Sequence, residues 1–350
     1  MRTLKTFSYK DVKMIQSISN IFTGRLLGMF LLFTLCGNLP AITVKLGSPF
    51  PEGSAWDSSL KRMAASWAEI TDGEVRIKIY PGGIAGGEAD LIRKMRFGQL
   101  DAGVLTSFAM RTIVPETFVL SLPGILNSEA ELDYVIEEFL PSFNDDYINE
   151  GFRVLAWSKS GWAYFFSKNA VTTPDEMRLE KLAISGSDSE IAENFKALGF
   201  NVVPVNINEL MVSLQSGMVN ALYTAPMAAV AYQWFTLAPH MMNLPMAPVL
   251  GGLVISERTW KRIPAKFHED LKEAIEVVAQ DFYRESERLN AEALRVMARY
   301  GLIKKELNEE EKADWYEVMR EGHKLVVGED KWIDNDTYEE FISVLEVFNK

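Results

Sequence analysis

Few residues in this chain are of types that could do covalent or acid–base chemistry. There are three histidines, His240, His268 and His323, and one cysteine, Cys36. His268 and His323 lie among charged residues in helical patterns and read as surface groups. His240 sits in Pro-His-Met-Met with no second ligand nearby, so a loop or core role fits better than a metal site. The sequence contains no Gly-x-Ser-x-Gly elbow, no His-Glu-x-x-His and no phosphate loop. Gly82–Gly87 lacks the spacing of a dinucleotide fingerprint and reads as a turn. Enzymatic activity and a cofactor are therefore not expected. What the chain does offer is side chains suited to non-covalent capture. Trp56, Phe108, Trp162, Tyr223, Met227 and Trp234 fall at or near the loops that follow strands, where broad aromatic faces and adaptable thioethers can cover a solute.

The elements that would position these groups are clearest between Lys181 and Thr224. Leu182–Ile184 reads as a short strand. Ser187–Glu190 has capping-box spacing and opens a helix that runs to Leu198 and stops at Gly199. Val202–Val205 is a second strand; Asn206 or Asn208 caps a second helix ending at Gly217; Val219–Tyr223 is a third strand. Parallel strands with crossover helices place ligands at the carboxyl edge of the sheet. That edge carries Ala183, Ser185, Tyr223 and Thr224.

The first half repeats the pattern. Val44–Leu46 is a strand, Ser54 to Thr71 a helix, and Val75–Tyr80 an alternating strand. Glu88 to Gly98 is a helix and Leu100–Leu105 a strand. The fold class is thus α/β with two lobes. Val154–Trp157 is a strand able to pass between them, Asn169 to Met177 a polar crossing loop, and Gly251–Ile255 a returning strand. From Pro264 to Tyr300 nothing interrupts a helix, with Phe267, Leu271, Ile275, Val278, Phe282, Leu289, Ala293, Val296 and Tyr300 on one face. About 36 residues at 1.5 Å each reach roughly 54 Å, so this helix must touch both lobes. Helices near Glu309–Val326 and Thr337–Phe348 are expected on the second lobe. The lobes are expected over 42–163 plus about 251–279, and 164–250 plus about 280–350.

Residues 1–41 differ in character. Arg2, Lys5, Lys10, Lys13 and Arg25 against Asp11 precede the uncharged run Leu26 to Leu35, the layout of a secretory signal, with cleavage expected after Ala41. Cys36 follows the run as a lipoprotein acylation site would, but Leu35 is not the small residue expected before it. The formal net charge is −12, and −16 without the +4 leader. Such a charge opposes nucleic-acid or anionic-lipid binding. The acidic run Glu309–Glu311 reads as a solvated helix face.

A family resemblance rests on the same blocks. The ALG helix end, the Val-Pro strand end and E-L-x-x-x-L-Q-x-G-x-V resemble the binding proteins of tripartite ATP-independent periplasmic (TRAP) transporters. So do PGGIAGGEADLIRKMRFGQLDAGVL and Leu122-Pro123-Gly124-Ile125-Leu126, and the matching blocks run from about Leu46 to Ala274. The resemblance implies a two-lobed periplasmic receptor, a long helix spanning both lobes, and membrane permease subunits as partners. In some family members it also implies a tetratricopeptide-repeat protein. It further implies arginines that grip a substrate carboxylate, at the positions held here by Ala183 and Ala163. The family's polar D-G-x-E-N strand end is Asn220-Ala221-Leu222-Tyr223-Thr224 in this chain.

A desolvated arginine–carboxylate pair is worth about 2–5 kcal/mol, and here that contribution is missing. Burying about 300 Å² of apolar ligand surface would supply on the order of 7 kcal/mol before entropy losses. The expectation is a cleft for an apolar or amphipathic solute. Two alternatives stand beside it. One is an organic acid held by a substitute cation such as Arg111, just past the third strand. The other is an envelope scaffold protein with a vestigial cleft.

Overall fold

A computed structural model describes residues 41–185 and 189–348. The leader expected over residues 1–41, Cys36 included, lies outside the described residues except for Ala41. The Ser187 end of the expected capping box lies outside them too. Among the described residues no helix is long and apolar enough to cross a membrane.

In the first lobe, β1 (Ile42–Gly47) pairs in parallel with β2 (Val75–Tyr80) and with β3 (Ala102–Thr106). The helix Ala55–Ile70 crosses between β1 and β2, its first turn capped by the Ser54 hydroxyl, which accepts from the Asp57 amide. Its Leu60, Met63 and Trp67 pack beneath β1 with Val44 and Leu46, as helical spacing requires. β9 (Ala247–Ser256) then pairs antiparallel with β3, and β4 (Phe152–Ser167) antiparallel with β9. In the second lobe, β5 (Leu182–Ser185) lies parallel to β6 (Val202–Val205) and to β7 (Ala221–Thr224). β8 (His240–Met242) and β10 (Ile303–Lys305) extend this sheet from the end of β4.

β4 is the connecting member. It pairs with β9 as far as Ala163↔Ala247 and changes partner at once, to Tyr164↔Thr224 on β7. The expected strand Val154–Trp157 is only its beginning: β4 is 16 residues long. Two register irregularities, between Val154 and Ala156 and between Lys159 and Trp162, let one strand bend through both sheets. Gly161 sits in the second with φ +88°, where a Cβ would lie 2.5 Å from Asn290 Nδ2. A glycine that reads as a strand breaker is in fact the bulge that lets the strand continue.

The long helix is His268–Arg299, 32 residues or about 48 Å, entered through the 3-10 turn Ala265–Phe267 rather than at Pro264. Leu271 and Ile275 join the first lobe's core beside Leu60 and Trp67. Ala293 and Met297 join the second lobe's core beside Leu222 and Trp234. Met297 takes the place expected for Tyr300, which is exposed. The seven-residue gap in the apolar stripe holds Ser286, and one turn on, just past it, lies Asn290; both face the backbone of β4. Asn290 Nδ2 donates to the Ser160 carbonyl at 2.8 Å, and its Oδ1 accepts from the Met227 amide at 3.0 Å.

Three expectations need correction. Neither Asn206 nor Asn208 caps a helix through its side chain. A 3-10 turn, Ile207–Glu209, leads into Leu210–Ser216, and Gly217 at φ +72° ends it. The crossing loop contains a helix, Pro174–Leu179, opened by a Thr173–Glu176 capping box. The terminal helix, Asn335–Phe348, does not pack on the second lobe. Phe341 stacks edge-on against Phe139 at 5.2 Å, and Phe348 meets Tyr134 at 5.3 Å, both beside the first lobe's helix Glu129–Glu138. Its i, i+4 stripe announces a buried face without saying which lobe covers it.

Candidate functional site

The two alanines stand inside the strands. Ala183 pairs with Val203 on one side and Leu222 on the other, and is buried with Val205, Leu210 and Ala229. Ala163, 1% exposed, is the last residue of β4 to face β9. At both positions a short methyl completes apolar packing. Ser185 closes β5 opposite Val205, and Thr224 closes β7 opposite Tyr164.

The six aromatic and methionine candidates divide among four places. Trp56 stacks on Phe50 at 4.3 Å and packs with Met227 and Phe282, where the long helix passes from one lobe to the other. Its Nε1 donates to Ser160 Oγ at 3.4 Å. Trp162 donates from Nε1 to Glu129 Oε1 at 2.7 Å and packs on the first lobe's core. Trp234 lies in the second lobe's core, stacked on Tyr232 at 4.4 Å. Phe108 and Tyr223 come together as Trp56 and Met227 do, but around a cavity at the seam between the lobes.

That cavity has a volume of about 100 Å³. Phe108, Phe118 and Ser121 of the first lobe form one wall, and Phe165, Phe195 and Tyr223 of the second lobe form another. Trp315, Met319 and Gly322, on one face of Glu309–Val326, close it together with Trp332. Among the described residues no charged one lines it. Burial pushes the Tyr223 phenol well above its ordinary pKa, so it stays protonated. The residues from Glu309 onward were not legible as site residues, since an amphipathic stripe reads as core. Gly322 was the available signal: a glycine inside a strong helix costs about 1 kcal/mol and points to a packing reason.

Two cations reach the seam, and both are engaged. Arg111, 4% exposed, pairs through Nη1 with Glu190 Oε2 at 2.9 Å across the lobes, and its guanidinium lies 3.7 Å from the centre of the Trp332 ring. Lys159 on β4 pairs with Glu129 at 3.2 Å and with Asp133. The lobes meet elsewhere along the seam as well. Tyr232 donates to the Pro49 carbonyl at 3.2 Å, and a Cβ on Gly83 would lie 2.2 Å from Asn208 Nδ2. Glu88, at the start of its helix, accepts from the Thr106 hydroxyl at 3.0 Å; burial raises its pKa, against those bonds.

The histidines are less exposed than expected. His268 stacks on Trp260 at 4.4 Å and His323 Nε2 donates to the Pro123 carbonyl at 2.8 Å. His240 is half-buried in β8 rather than in a loop. Among the described residues no group of three or more His, Cys, Asp and Glu could hold a metal ion.

The chain is similar to a solute-binding protein of Chromohalobacter salexigens, 27% identical over 240 residues, covering 66% of this chain and 68% of that protein. Its fold is similar to a TRAP periplasmic solute-binding protein of Xanthobacter autotrophicus with bound β-D-galacturonate. The TM-score is 0.80 at 16% identity, over 87% of this chain and 99% of the other. It is equally similar, at TM-score 0.80 and 17% identity, to a sugar-acid-binding protein of Advenella mimigardefordensis in complex with galactonate, over 89% and 99% of the two chains. The family described as bacterial extracellular solute-binding protein, family 7, matches residues 46–329. The chain therefore belongs to this DctP family, the solute-binding proteins of TRAP transporters, whose members carry solutes and are not enzymes.

Proposed function

We propose that this protein is an extracytoplasmic receptor that takes an apolar or amphipathic solute between its lobes and delivers it to TRAP permease subunits in the membrane. The observation that carries the reading is the chemistry of the seam. Alanine occupies both positions where the family resemblance implies carboxylate-binding arginines, and among the described residues no charged one lines the cavity between Phe108 and Tyr223. A carboxylate brought there would lose its hydration without gaining a partner, which costs several kcal/mol. An apolar body would gain about 25 cal/mol for each Å² hidden. The lobe division at 163/164, where β4 changes partner, belongs to the same proposal, as does export by the leader.

A second reading is favoured by the sugar acids bound to the solved relatives. In it Arg111 exchanges Glu190 for a ligand carboxylate as the lobes close. Purification under native conditions, extraction and mass spectrometry separate the two. Recovery of neutral apolar or amphipathic molecules supports the first. Recovery of uronates, aldonates or small dicarboxylates overturns it in favour of the second. A protein that yields no ligand and answers to no solute panel would be the envelope scaffold.

A further inference from the structure

We infer that the seam cavity is a subsite for a neutral, ring-sized group carrying one hydroxyl, for which phenol is the simplest probe. The inference rests on the receptor reading above and narrows its ligand class. Its first support is size and lining. At about 100 Å³ the space is somewhat smaller than the ~150 Å³ apolar cavity that holds benzene, and Met246 and Met319 in its walls can yield. One six-membered ring fits; a sugar acid with its hydroxyls and carboxylate does not match walls of Phe118, Phe195, Trp315 and Val326.

The second support is independent of size. Ser121, 7% exposed, is one of the residues around this cavity, and its buried hydroxyl has no hydrogen-bond partner among the described residues. Tyr223, half-buried on the second lobe's side of the cavity, makes no side-chain hydrogen bond among the described residues either. Buried polar groups are almost always paired, and an unpaired one calls for an explanation. The Ser121 and Tyr223 hydroxyls, with the Asn194 side chain the polar groups of a largely apolar lining, are explained by a ligand that both accepts and donates, as a hydroxyl does. A carboxylate is disfavoured because Arg111, whose guanidinium lies over the lining residue Trp332, is already paired with Glu190.

The test is calorimetric titration of the full mature chain with phenol, benzene and benzoate, read in parallel by the fluorescence of Trp315 and Trp332. Phenol should bind at least tenfold more tightly than benzoate. Tyr223→Phe and Ser121→Ala should each weaken phenol five- to tenfold and leave benzene unchanged. Gly322→Leu should abolish phenol binding by filling the space. Gly322→Ala, whose added Cβ meets only Leu198 at 3.5 Å, serves as the folded control. Benzoate binding as tightly as phenol, or phenol binding undiminished by Gly322→Leu, overturns the subsite. If the co-purified solute is apolar but binds Gly322→Leu as it binds the parent chain, the subsite falls and the receptor reading stands. If the co-purified solute is a sugar acid, both fall.

Discussion

Removing Arg111 separates a latch from a ligand clamp. Its guanidinium is buried whereas Glu190, which it pairs with, is 65% exposed, so deleting the arginine leaves the Glu190 carboxylate in contact with water. The pair with so exposed a partner contributes about 0.2–1 kcal/mol. The desolvated stack on Trp332 adds about 1–2 kcal/mol. Arg111→Met keeps most of the aliphatic stem, so its cost should be about 1–3 kcal/mol. Arg111→Ala also forfeits the packing of roughly three methylenes, about 2 kcal/mol more. The assay is urea unfolding of both variants, with midpoints and slopes compared with the parent chain. The latch account expects a lower midpoint for Met and a still lower one for Ala, with solute binding retained. An Arg111→Met midpoint within about 0.5 kcal/mol of the parent, together with lost binding of organic acids, would refute it and make Arg111 the clamp.

Other perturbations read other parts of the structure. Asn290→Ala leaves the Met227 amide without its acceptor and frees the Ser160 carbonyl, so it should cost about 1–3 kcal/mol by thermal or urea unfolding. Glu88 is a half-buried carboxyl whose pKa desolvation raises, so its charge opposes folding at neutral pH. Glu88→Gln should therefore be more stable than the parent at pH 7, with the difference closing as pH falls toward the ordinary carboxylate range. For His323 burial lowers the pKa more than its bond to Pro123 raises it. The native state then binds that proton less readily than the unfolded chain, and stability should fall as pH drops through and below about 6.5. His323→Gln should flatten that part of the profile; an unchanged slope would contradict the assignment.

The parallel units were legible because they are local. Periodicity and glycine stops place Ala55–Ile70, Val75–Tyr80 and Val202–Val205 within a residue or so. What was not legible depends on distant partners. From sequence alone β4 ends at Trp157, and Asn290, far along the chain, is what meets the strand where it bulges at Gly161 and continues. The terminal helix shows an apolar face, yet Phe139 and Tyr134 decide which lobe it covers. The rule that ligands gather at strand ends pointed to Phe108 and Tyr223, which line one cavity, and also to Trp234 and Ala183, which are packed in the second lobe's core. Trp315, Met319 and Trp332 escaped it because a helix face that borders a void has the same pattern as one that borders a side chain.

The central claim is that the seam holds a ligand by apolar contact and not by charge. A crystal structure of the protein purified with its native solute tests this directly. The account predicts an uncharged body lying between Phe108 and Tyr223, with Arg111 still paired to Glu190. A carboxylate seated on Arg111, with Glu190 displaced, would contradict it.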